Sequence, residues 1–192
     1  MKLFFKRIML LSLITASLPV QSQQPAKTIT NLKPTVILIS IDGFRNDYLD
    51  KFPLPNLKAL AKNGVHSALL SVFPSVTFPN HYSIVTGLYP EHHGIVLNEF
   101  LAPDIAEPFT HNGHAPAVTD PRWWKGEPIW VTAEKQGQLT ASAFWPSSAS
   151  TIDNMKPNYF RDFAEDGNPQ IRIQQILDWL DLPIVKRPTL LM

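Results

Sequence analysis

Residues 35–41, Thr-Val-Ile-Leu-Ile-Ser-Ile, form a β-branched apolar run without the polar alternation of a half-exposed strand. A strand of this kind is covered on both faces, which is the situation inside a parallel sheet flanked by helices. The run ends in Asp42-Gly43, so a carboxylate stands at the carboxyl end of the predicted strand. In open α/β sheets that end carries the ligand site. The opening residues therefore constrain both the fold and the place where chemistry can occur.

The rest of the chain keeps the same alternation. Residues 55–62 carry Leu57, Leu60 and Ala61 at helical spacing, with Pro55 at the start and Asn63-Gly64 as the stop. Residues 65–73 read as a strand. Residues 77–86 read as a helix that admits Pro79 in its first turn and ends at Gly87. Residues 102–126 lack periodicity and are predicted to be a long irregular excursion. Helix returns over 128–135, strand over 139–145, and helix over 169–182, where Ile173, Ile176, Leu177 and Leu180 share one stripe. A final strand begins at Thr189, and its sheet is expected to be incomplete at the C-terminus. Strand and helix alternating in this way predict an α/β fold of mostly parallel strands with helices on both faces.

Lys2, Lys6 and Arg7 precede an apolar run from Ile8 to Val20, which small residues follow, so residues 1–22 read as a secretory signal peptide and 23–33 as a polar linker. The run is shorter than the ~20 residues a spanning helix needs, so no stable membrane span is expected. This layout predicts export to the periplasm or the exterior. The chain has 17 Lys+Arg and 16 Asp+Glu; without the three leader cations, 14 basic residues face 16 acidic ones, a net −2. That balance excludes a strong basic field, and with it nucleic-acid polymers as the main partner. With no cysteine, the exported chain relies on its core or on metal rather than on disulfides.

Two residues stand out chemically. Asp42, at the end of a buried strand, needs a positive partner, for which a metal ion is one answer; a turn-forming or capping role suits it equally. Thr77 opens a helix between Phe73-Pro74 and Phe78-Pro79, where free N–H groups and the helix dipole favour an anion, although an ordinary N-cap threonine reads the same way. His111 and His114 are close in sequence but have no third zinc ligand nearby. His81 is read as packing and hydrogen-bonding on the Thr77 helix, His92-His93 as structural in a turn, and Trp123, Trp124 and Trp130 as core or loop-anchoring groups rather than an aromatic substrate platform.

The stretches VILISIDGFRNDYL, PNLKALAKNGV, FPSVTFPNHYSIVTGLYPEHHGIVLN, WWKGEPIWVTAEKQG and PQIRIQQILDWLDLPIVKRPTLLM, in that order, resemble the nucleotide pyrophosphatase/phosphodiesterase family of the alkaline phosphatase superfamily. The resemblance implies that residues 34–192 are the N-terminal part of a catalytic domain of that superfamily. It implies a two-zinc site in which Asp42 is a ligand and Thr77 the metal-bound nucleophile, forming a phosphothreonine intermediate. It further implies that Asn98 and the N–H at the start of the Thr77 helix hold a phosphate oxygen, and that Phe78 stacks on a nucleobase. The implied substrate is a small phosphodiester or nucleotide.

Two departures qualify the resemblance. Val76 stands where the family often has lysine, which bears on substrate preference. The other metal ligands of the family lie beyond the strand that begins at Thr189, so this chain supplies two of the three or four protein ligands zinc requires and is expected to be inactive alone. The rival readings are a non-catalytic remnant or phosphate-binding protein and, among enzymes, a phosphomonoesterase or phosphonate hydrolase.

Overall fold

The computed structural model describes residues 34–111, 115–163 and 168–192. The predicted signal peptide, the linker and His114 lie outside them. Four strands, β1 (Val36–Ile37), β4 (Thr140–Ala143), β5 (Tyr159–Arg161) and β6 (Leu190–Leu191), form one sheet in the order β1-β6-β4-β5. Every pairing in it is parallel, with Val36 and Thr140 both in register with Leu190. Leu190 and Leu191 of β6 thus lie in the interior of the sheet, between β1 and β4.

Helices cover both faces. Leu190 and Met192 join the larger core, whereas Leu191 between them packs with Ala141 and Trp179, as the period-2 geometry of a strand requires. The Trp179 face is covered by α7 (Pro169–Leu180), whose cap is the Asn168 side chain accepting from the Gln170 N–H. The opposite face is covered by α3 (Thr77–Thr86) and α6 (Ile129–Lys135), with Phe78, Tyr82, Val85, Trp130 and Val131 in the core. Gly87 closes α3 at φ +70°, a conformation that disfavours any residue with a Cβ. Trp123, Trp124 and Trp130 are buried, as their composition suggested. Among the described residues no helix is long and apolar enough to cross a membrane.

Four sequence expectations need correction. The first strand extends over two residues rather than seven, although the Leu38 N–H still donates to the Leu191 carbonyl. It is an edge strand with β6 on one side, and Val36, Ile37 and Ile39 are exposed rather than buried. Residues 65–73 form no strand: Val65, Leu69, Leu70 and Phe73 are all more than 85% exposed, and the segment pairs with no strand among the described residues. Composition favours extended backbone there, but a strand exists only where a neighbour completes the ladder. Residues 102–126 are more ordered than expected. A hairpin of β2 (Glu99–Leu101) and β3 (Pro108–Thr110) pairs Phe100 with Phe109, and their rings stack at 5.1 Å beside Trp123. Beyond it lie α5 (Pro116–Thr119) and a 3₁₀ turn (Pro121–Trp123). Finally, β5 was not foreseen, because its three residues carry no periodicity that could identify it.

The turn leaving β4 is bent by two non-glycine residues in the left-handed region, Phe144 (φ +70°) and Ser147 (φ +79°). Such a residue costs about 1–2 kcal/mol, against ~0.5–1 kcal/mol of extra chain entropy for glycine. Ser147→Gly is therefore expected to raise stability by about 0.5–1 kcal/mol in urea denaturation. An unchanged or lower midpoint would show that the Ser147 side chain, buried against the core, repays the strain.

Candidate active site

Three segments meet where α3 begins. The chain leaving β1 supplies Asp42, α3 supplies Thr77, and the residue before β2 supplies Asn98. The Thr77 hydroxyl donates to Asp42 Oδ2 at 2.9 Å across 35 residues of sequence. The Phe78 N–H donates to Asn98 Oδ1 at 2.9 Å. The predicted residues Asp42, Thr77 and Asn98 are thereby brought to one place.

The start of α3 is unusual as a helix end. Val76, the N-cap, makes no side-chain capping bond, and Pro79 has no N–H to offer. Asn98 therefore caps the helix from outside. Because its carbonyl oxygen is committed to Phe78, its amide NH₂ is left to point elsewhere as a donor. The Thr77 N–H has no partner among the described residues. The same helix start thus gathers two donor groups, the positive end of the helix dipole, an exposed carboxylate and a half-buried hydroxyl. An anion bound there would need a cation to balance Asp42.

Further support comes from buried groups. His81 is buried and bonds through both ring nitrogens: Nδ1 lies 2.7 Å from the Thr77 carbonyl oxygen and Nε2 2.7 Å from Ser40 Oγ, while its ring meets Trp145 edge-on. Below it, His93 closes α4 (Pro90–His93), with Nε2 2.9 Å from Ser83 Oγ and Nδ1 accepting from the Ile95 N–H. Burial pushes the His93 imidazole down from 6.5 to about 4. Burial likewise raises the Tyr82 phenol above the usual tyrosine range, and its hydroxyl has no hydrogen-bond partner among the described residues. Removing a buried donor that bonds to nothing costs little, so Tyr82→Phe is expected to hold or raise stability by up to about 1 kcal/mol in thermal denaturation. A loss above that would place a water on the hydroxyl.

Phe78 is 9% exposed, with its ring among Phe109, Trp124 and His111 at 5.8–6.2 Å. Val76 is exposed at the mouth of the site. His111 lies 3.4 Å from Glu99 on the surface, and among the described residues no group of three or more His, Asp or Glu could hold a metal. Sequence reading did not single out Ser40, and it gave His81 a packing and hydrogen-bonding role on the Thr77 helix without naming its partners. Their spacing, two residues before Asp42 and four after Thr77, was the available signal.

Together these features define a class: α/β proteins that gather polar side chains beyond the carboxyl ends of a parallel sheet. The chain belongs to the type I phosphodiesterase/nucleotide pyrophosphatase family, which residues 36–192 match. It is 48% identical over 160 residues to an uncharacterised pyrophosphatase/phosphodiesterase of Schizosaccharomyces pombe, an alignment covering 82% of this chain and 33% of the relative. It is 41% identical to ectonucleotide pyrophosphatase/phosphodiesterase family member 3 of Rattus norvegicus, covering 88% of this chain and 19% of the relative. Among solved structures, the murine ectonucleotide pyrophosphatase/phosphodiesterase 5, in an inactive threonine-to-alanine form in complex with AMP, superimposes with a TM-score of 0.77 at 33% identity. That match covers 83% of this chain and 42% of the murine one. The chain thus spans a third or less of the two sequence relatives.

Proposed function

We propose that this chain carries the nucleophile half of an exported hydrolase of small phosphodiesters or nucleotide pyrophosphates, with Thr77 as nucleophile, Asp42 as a metal ligand and Asn98 as a phosphate-oxygen donor. The observation that supports it most directly is the Thr77–Asp42 hydrogen bond beside the Asn98-capped helix start. Relatives named ectonucleotide and venom phosphodiesterases favour an extracellular setting over a specifically periplasmic one.

Zinc is the cofactor this reading calls for. Asp42 Oδ2 and Thr77 Oγ1 are oxygen donors within 2.9 Å of each other, which suits two positions on one cation, and among the described residues Asp42 forms no salt bridge. They fit as part of a site, since zinc takes three or four protein ligands. When bound, zinc would lower the pKa of the Thr77 hydroxyl and offset charge on the phosphoryl oxygens.

The chain's own residues do the remainder. Asp42 fixes the direction of the Thr77 oxygen. The Asn98 NH₂ and the Thr77 N–H receive a phosphoryl oxygen, and a base would reach Phe78, which is buried at 9% exposure, only if the rings around it shift. Thr77 loses its hydroxyl proton to solvent, its oxygen bonds to phosphorus, and the bond from phosphorus to the leaving oxygen breaks as that oxygen takes a proton from solvent and departs as the alcohol. Water then attacks the phosphothreonine, releasing a phosphomonoester and restoring the hydroxyl.

The test is the intact mass and zinc content of the natively expressed protein, together with its turnover of an aryl phosphate monoester and diester. Bound zinc, lowered by Asp42→Asn, with the diester preferred, is the expected result. Preference for the monoester would make the protein a phosphomonoesterase, and phosphate binding without turnover would reduce it to a binding protein.

A further inference from the structure

We infer that His81 is a positioning residue that holds Asp42 in register with Thr77, an inference that rests on the site proposed above. A carbonyl oxygen only accepts, so the bond to Thr77 places the hydrogen on His81 Nδ1. In the neutral ring Nε2 is then an acceptor, and the Ser40 hydroxyl donates to it. The imidazole therefore ties the backbone of the nucleophile to the segment that carries Asp42.

The spacing makes this bridge a partner of the Thr77–Asp42 bond. Residues 77 and 81 lie one turn apart on one helix face, about 6 Å along the axis. Ser40 and Asp42 are two residues apart in a chain leaving a strand, about 6.6 Å if extended. The two bonds, 40 to 81 and 42 to 77, thus form two rungs between α3 and the segment that leaves β1, which turns at Asp42-Gly43 where the Phe44 N–H donates to the Ile41 carbonyl. The His81 rung is partly buried, since His81 is buried with Trp145 against its ring, whereas the Thr77–Asp42 bond is exposed. Asp42 itself is exposed, in a segment that follows a two-residue edge strand. Without His81, the position of Asp42 would depend on a single exposed bond to a hydroxyl that must move during the reaction.

The test uses Ser40→Ala, His81→Asn and their double variant in the natively expressed protein, with Thr77→Ala as reference. Ser40 is exposed, so its variant is read even if His81→Asn fails to fold. Ser40→Ala should lower kcat about 10–100-fold, the range typical of residues that orient a ligand from behind, with KM and Tm little changed, and Ser40→Thr should recover most of the loss. The double variant should be no worse than the poorer single variant. Ser40→Ala should also shift the ¹⁵N resonance of His81 Nε2 while leaving Nδ1 protonated. Wild-type kcat in Ser40→Ala when Thr77→Ala is inactive would overturn the inference, as would losses that multiply. If Thr77→Ala leaves hydrolysis intact, the proposed function fails instead, and the Nε2 resonance alone decides whether the bridge exists: a shift keeps it and an unmoved signal rejects it.

Discussion

Thr77→Ala in the natively expressed protein is expected to lower phosphodiester turnover by about 10³-fold or more, the scale on which loss of a covalent nucleophile acts, while leaving the fold intact. The fold should survive because the Thr77 side chain is half-buried and its one bond is to an exposed carboxylate. The α3 start keeps its cap from Asn98 and its tie to His81, neither of which uses the Thr77 side chain. Thr77→Ser, which retains the hydroxyl, should keep far more activity than Thr77→Ala. Single-turnover measurements check the assignment further, since a phosphothreonine should be trapped on the wild-type protein in acid and be absent from Thr77→Ala. Full turnover by the alanine variant would remove Thr77 from the chemistry and leave Asp42 and Asn98 as anion-site residues.

Acid should destabilise the protein through His93. Its imidazole has no exposed surface, it spends Nδ1 on the Ile95 N–H and Nε2 on Ser83, and burial holds it down at about 4. An unfolded histidine takes up its proton near 6.5. Between these values the unfolded chain binds a proton that the folded chain does not, so stability rises with pH through that window. The contribution is complete above about 6.5 and is lost as the pH falls toward 4, amounting to about 3 kcal/mol. Urea denaturation at pH 7 and pH 4.5 should show the loss. His93→Gln should be less stable at pH 7 but nearly flat across the same interval, which separates His93 from carboxylates that protonate in acid. A similar fall in the variant would assign the effect to other groups.

How far the sequence can be read depends on the kind of interaction each feature needs. Helix boundaries were legible where capping and periodicity are local. The predicted helix over 77–86 matches α3, and that over 169–182 ends two residues beyond α7, because Gly87 and the stripe through Ile176 and Leu180 act within a few residues of themselves. Strands were less legible. Residues 65–73 and 35–41 have similar apolar content, yet one forms no strand and the other pairs over two residues, because ladder bonds come from a neighbour that composition does not specify.

The candidate site divides along the same line. Asp42 at the end of a strand and Thr77 at the start of a helix were visible as chemical opportunities, because strand ends and helix starts impose the same local electrostatics in any fold. Each also had an ordinary structural explanation, and nothing in the local sequence could choose between them. What joins Asp42 to Thr77, Asn98 to Phe78 and Ser40 to His81 are contacts 35, 20 and 41 residues apart in the chain. Sequence by itself determined the α/β class, the helices α3, α6 and α7, the aromatic core, and the polar residues at a strand end and a helix start. Tertiary structure alone decided which of them meet, because a hydrogen bond of 2.9 Å demands a relative placement of segments that only the packed sheet and helices can supply.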